Sequence, residues 1–78
     1  MNDFGIRLRL LRISMGLSIQ EMADKLYHVY GTQIQYEKGN RHPSTARAQE
    51  IADALDVPIS WLLGEGKTFA WEAEEESH

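Results

Sequence analysis

The sequence predicts an all-α domain built from five short helices, and three observations carry that expectation. Apolar residues recur at spacings of three and four in successive stretches. Each stretch ends at a glycine, proline or capping residue, and no alternating run bounded by hairpin turns suggests a strand. Seventy-eight residues make one domain at most. A chain this short buries only roughly 60 % of its unfolded surface, so a second copy would help to stabilise it.

In DFGIRLRLLRISMG, Phe4, Leu8, Leu11 and Met15 form a helical stripe that Ile6, Leu10 and Ile13 broaden. This predicts a first helix from about Asp3 to Ser14, ended by Gly16 as a left-handed cap. Ser18 followed three positions later by Glu21 reads as a capping box. Ile19, Met22, Ala23 and Leu26 then give an apolar face, so a second helix runs from Ile19 to Tyr27 or His28. YGTQIQYEK supplies the third, with Ile34 as the expected inward residue and Gly39 as its stop. The loop GNRHPS cannot be regular, and Ser44 can cap a fourth helix whose buried stripe is Ala48, Ile51, Ala52 and Leu55. Pro58 suits the first turn of a short fifth helix, PISWLL, because its missing amide hydrogen would have no partner there anyway.

The net charge of −4 is unevenly distributed. Residues 1 to 68 hold eight basic and eight acidic side chains, and the deficit lies in FAWEAEEESH, with Glu72, Glu74, Glu75 and Glu76. Such a tail is expected to be solvated. The competing expectation is that Phe69 and Trp71 dock on the body or on a second subunit while the glutamates compete for a basic surface. There is no cysteine, and His28, His42 and His78 are far apart, so neither a disulfide nor a zinc site is expected. No serine or carboxylate sits in a nucleophile or acid/base motif, and a chain this small lacks a substrate cavity of ordinary size, which argues against an enzyme and against a cofactor. No segment is long and apolar enough to span a membrane, and MNDFGIRLRLL lacks the apolar core of a signal peptide. A cytoplasmic protein is expected.

LLRISMGLS, EMADKL, YEKGNRHPS and IADALDVPISWLLG stand in an order and at a spacing that resemble the helix-turn-helix domain of the Cro and phage-repressor family, also called the xenobiotic response element family. Residues 6 to 64 carry the resemblance. It implies a five-helix, repressor-like DNA-binding domain over residues 1 to 66, followed by the acidic tail at 67 to 78. It also implies that Arg12 pairs with Glu37, tying the first helix to the end of the third, and that Ala23 lies where helices two and three cross. Trp61 and Leu62 would close the core. Two departures stand out. Ile19 occupies the position where the family usually has glutamine, with Gln20 after it. The usual turn L-G-V-S is here L-Y-H-V-Y, and the apolar residue of the third helix comes one place late, at Ile34, with Gln33 where it would be. A one-residue slip turns a helical face by ~100°.

In such a fold the start of the third helix enters the major groove while flanking groups hold phosphates. The resemblance therefore implies Tyr30, Thr32, Gln33 and Gln35 as base readers, since glutamine can pair with adenine and threonine with several base edges. Gln20, Lys38, Arg41, Ser44 and Arg47 are the implied phosphate contacts, with His42 nearby. Outside that fold, glutamines on a short helix would be only a solvated face. The expected partner is double-stranded DNA, with a homodimer on a palindromic operator meeting through Ile59, Leu63, Phe69 and Trp71. The alternative is a protein-interaction module on the same fold, an antirepressor or antitoxin-like binder that uses the acidic tail.

Overall fold

A computed structural model describes residues 3–64 of the chain. Five helices follow in order: α1 Asp3–Ser14, α2 Ile19–Lys25, α3 Tyr30–Lys38, α4 Thr45–Leu55 and α5 Ile59–Leu62. No strand occurs among the described residues. Helix α3 packs on both α1 and α2, while α5 packs on α4 and α1, so α1 bridges the two halves. Every helix gives to one core: Phe4 and Leu8, then Met22, Ala23 and Leu26, then Tyr36, then Ala48, Ile51, Ala52 and Leu55, and finally Trp61 and Leu62. Phe4 meets Tyr36 edge-on, with ring centroids 5.3 Å apart, an arrangement that aromatic quadrupoles favour.

Local chemistry sets the boundaries. Ser18 Oγ accepts from the Glu21 amide at 3.0 Å, and the Glu21 carboxylate accepts from the Ser18 amide at 2.8 Å, completing the capping box at the start of α2. Ser44 Oγ accepts from the Arg47 amide at 3.1 Å and caps α4 in the same way. At the other end of α2 the helix stops at Lys25, before the expected Tyr27 or His28, because Tyr27 turns left-handed at φ 59°. The His28 amide then reaches back to the Ala23 carbonyl at 3.0 Å and the Tyr27 amide to that of Asp24 at 3.2 Å. That pair of bonds closes the helix in the Schellman manner.

Two expectations about inward faces are corrected. On α1, Ile6, Leu10, Ile13 and Met15 are exposed rather than part of the buried stripe, because the helix is covered only on the side that meets α3 and α5. On α3, Ile34 is only half-buried, whereas its neighbour Gln33 is 0 % exposed. Gly5 has a role that periodicity does not reveal. A Cβ at that position would clash with the Tyr36 carbonyl oxygen and stand 3.1 Å from that of Glu37, so its bare backbone lets α1 lie directly against the end of α3.

Candidate nucleic-acid interface

The candidate interface is the outer face of α3 with the loop that follows, and its orientation is set from inside. Arg12 projects from the last turn of α1 to Glu37 in the last turn of α3. Its Nε donates to Glu37 Oε2 at 2.7 Å and its Nη2 to Oε1 at 3.0 Å, while Nη1 donates to the Leu17 carbonyl at 3.0 Å. The two side chains are only 13 % and 8 % exposed. A bidentate pair in such a place is costly to break, since either partner alone would be a buried charge. The hydrogen bonds that Arg12 donates to Glu37 hold its guanidinium above its ordinary high pKa, against the opposing effect of burial.

Gln33 continues this network. Its Nε2 donates to Glu37 Oε2 at 2.7 Å, and its Oε1 lies 2.7 Å from Nε2 of His28, the residue just after the left-handed Tyr27. On its other side His28 Nδ1 is 2.9 Å from Nη2 of Arg47. The same Arg47 nitrogen donates to the Leu26 carbonyl, and Nη1 donates to Glu50 at 3.2 Å. A chain of polar contacts thus runs from α1 through α3 and the α2–α3 turn to α4. Burial is the main reason the His28 pKa lies below 6.5. The Gln33 bond pulls it the other way, and the charges of Arg47 and Arg41 push it down further.

This arrangement removes Gln33 from the set of base readers: a fully buried amide with both of its ends bonded inside cannot reach a base edge. Tyr30 and Gln35 are exposed and Thr32 is half-exposed, so these three side chains reach the surface of α3, Thr32 and Gln35 on one flank and Tyr30 at the start of the helix. Arg41 lies beside them, its Nη1 3.5 Å from Thr32 Oγ1 and its guanidinium 5.9 Å from the Tyr36 ring centroid. Lys38 is exposed at the helix end. Gln20 is exposed on α2 and donates to Asp24 at 2.8 Å. Ser44 caps α4, and Arg47, expected at a phosphate, is half-buried with its guanidinium turned to protein acceptors.

Of the expected subunit contacts, Ile59 and Leu63 are partly buried against the core, and Phe69 and Trp71 lie outside the described residues. Sequence reasoning missed His28 and Gly5. The unusual turn L-Y-H-V-Y was the available signal for the first, and a glycine inside an otherwise good helix was the signal for the second. Among the described residues no group of histidines and carboxylates could hold a metal ion, and no helix is long and apolar enough to cross a membrane.

Comparison with known proteins matches residues 8–62 to the family described as helix-turn-helix. An uncharacterized HTH-type transcriptional regulator of Sinorhizobium medicae (strain WSM419) is 33 % identical over 59 residues, covering 76 % of this chain and 42 % of that protein. A similar protein of Rhizobium meliloti (strain 1021) matches to the same extent. The cryptic phage CTXphi transcriptional repressor RstR of Vibrio cholerae is 29 % identical over 65 residues, 83 % of this chain and 59 % of its own length. The chain thus spans less than two thirds of the length of these relatives.

Proposed function

This chain belongs to the helix-turn-helix family, and from that premise we propose that it is a sequence-specific DNA-binding transcriptional regulator that places α3 in the major groove. One observation carries the reading: the polar network that buries Gln33 leaves Tyr30, Thr32 and Gln35 accessible at the surface of α3, with Arg41 against Thr32. Thr32 and Gln35 have the donors and acceptors that base edges require, and Tyr30 can meet a thymine methyl or a phosphate. Lys38 and Arg41 supply charge to the backbone, with Gln20 and Ser44 as neutral contacts. The relatives described as regulator and repressor favour this reading over a protein-interaction module.

A homodimer would place two such helices in successive major grooves of a palindromic operator, with half-sites ~34 Å apart. Ile59 and Leu63, with Phe69 and Trp71, are the proposed meeting surface, and the acidic tail remains a candidate contact for a protein partner. The proposed place of action is the cytoplasm, where the DNA of a cell without a nucleus lies.

The test is a titration of the isotope-labelled chain with mixed-sequence duplex DNA, read residue by residue by NMR at low and then raised salt. Shifts should concentrate on Tyr30, Thr32, Gln35, Lys38 and Arg41 and fade with salt. Two phosphate-bound cations from each subunit of a dimer imply a logarithmic salt slope of about −3.6. A folded protein whose α3 signals do not respond to any duplex would refute the reading.

A further inference from the structure

The turn that presents α3 has the Schellman bonds of a helix end but no glycine at its left-handed residue and no side-chain cap at the start of α3. Tyr27 occupies the left-handed region at φ 59°, where a side chain is disfavoured, and is itself 93 % exposed. Val29, at the N-cap of α3, offers no side-chain cap. His28, between these two residues, makes the bonds instead.

The chemistry at both ends of the relay fixes its protonation. Glu37, paired with Arg12, offers only lone pairs, so Gln33 must donate to it through Nε2 and turn its oxygen to His28. An acceptor 2.7 Å from His28 Nε2 requires a proton on that nitrogen. The guanidinium of Arg47 has only N–H groups to offer, so His28 Nδ1, 2.9 Å away, must be bare. Both ends demand the same neutral tautomer.

The consequence lies in a choice that hydrophobicity alone would make the other way. Gln33 and Ile34 are neighbours, and a rotation of ~100° about the axis of α3 brings Ile34 into the place of Gln33. Burial of apolar surface would place Ile34 inside, yet Gln33 is the one fully enclosed. We propose that His28, as the neutral imidazole protonated on Nε2, is the positioning residue of the reading helix: by joining Arg47 of α4 to Gln33 of α3 it sets the rotation of α3 that keeps Gln33 and Tyr36 inside and leaves Ile34 beside Gln35 on the outer side. The inference rests on the DNA-reading role of α3.

Because the bridge needs a bare Nδ1, it is sensitive to acid. Around His28, α4 presents Arg47 with Glu50 behind it, and the loop between α3 and α4 presents Arg41. Helix α3 presents Gln33, Glu37 behind it, and Tyr36, whose ring centroid is 5.5 Å away; the end of α2 contributes the Leu26 carbonyl to Arg47. A proton added at Nδ1 would face the Arg47 guanidinium directly. Since the folded pKa of His28 lies below its ordinary 6.5, the bridge is intact above that value and is lost as pH falls through the folded pKa.

The experiment uses the full chain, isotope-labelled, and its His28→Gln variant. Glutamine keeps one donor and one acceptor at this position but cannot titrate. In the natural protein at about pH 7.5, long-range ring spectra should show His28 protonated on Nε2 only. On acidification to about pH 5.5 the amides of residues 30 to 38 should move with the His28 titration, and should not do so in the variant. Affinity for a mixed-sequence duplex should fall relative to the variant, by about tenfold for each unit that separates the pKa of the bridged arrangement from that of the opened one. Groups common to both proteins, His42 included, cancel in that ratio. A proton on Nδ1 at neutral pH, or α3 amides that follow one pH course in both proteins, overturns the inference. If neither folded protein binds duplex, the DNA reading has failed, and the ring and amide signals still judge the bridge. The ring spectrum needs no variant, so a His28→Gln chain that does not fold leaves the inference open to refutation.

Discussion

Replacing Arg12 with methionine should cost this domain a large part of its stability. The substitution keeps the stem along the core but removes two charge-assisted bonds to Glu37, at 2.7 and 3.0 Å, and the bond that fastens the Leu17 carbonyl after α1. It leaves a carboxylate that is 8 % exposed with only Gln33 as a donor. Breaking a buried pair from one side costs about 3–5 kcal/mol. The remaining Gln33 bond and the slight exposure place the expected loss near the lower end, at about 3 kcal/mol. A domain of about sixty residues has a total stability of about 3–9 kcal/mol, so the loss is at least a third of it. Urea unfolding followed by helical circular dichroism measures it. The double variant Arg12→Met with Glu37→Gln should recover part of the loss, because the amide removes the stranded charge while still accepting from Gln33. A single variant within about 0.5 kcal/mol of the natural protein would refute the reasoning, since that is how a solvent-exposed pair behaves.

The two glutamines of α3 should separate cleanly. Gln33→Ala should destabilise the fold by about 2 kcal/mol, by leaving His28 and Glu37 without their shared partner, whereas Gln35→Ala should leave thermal unfolding unchanged and relax base selectivity by about 1–3 kcal/mol at one position. The reverse pattern would mean that α3 is turned the other way. The helical glycines should differ too. Gly5→Ala forces a Cβ onto the backbone of α3 and should lower the melting temperature sharply, while Gly31, with open space around it, should gain up to ~1 kcal/mol on substitution by alanine. At the start of α2, Ser18→Ala should cost about 1 kcal/mol in thermal unfolding. The Ser18 amide bond holds the Glu21 pKa below its ordinary 4.5, with the serine hydroxyl group adding to the effect. The stabilisation from that bond is therefore full above pH 4.5 and lost as pH falls through the lower folded value. An acid titration of the Glu21→Gln variant should lack that component.

Much of this molecule was legible in its residue order, because the signals are local. The capping box at Ser18 and Glu21, the cap at Ser44, the stops at Gly16 and Gly39 and the apolar spacing of α4 act within a few residues of themselves, and the helices begin and end close to where those signals stand. The pairing of Arg12 with Glu37 came from resemblance, and its geometry is that of a bidentate pair between two helices.

The faces of α1 and α3 were not legible, for the opposite reason. Periodicity reports which residues share a side of a helix; it cannot report how wide a strip the neighbouring helices cover. Ile6, Leu10 and Ile13 thus stay outside although they continue an apolar stripe. On α3 the hydrophobic rule pointed to Ile34, and a glutamine took the interior because His28 and Glu37 bond its amide directly while Arg47 and Arg12, from two other helices, hold those partners in place. Residue order was enough for the helices, their caps and the family they belong to. The tertiary structure alone decided which side of α3 stays accessible, because hydrogen bonds between separate elements outweighed the local preference of two adjacent side chains.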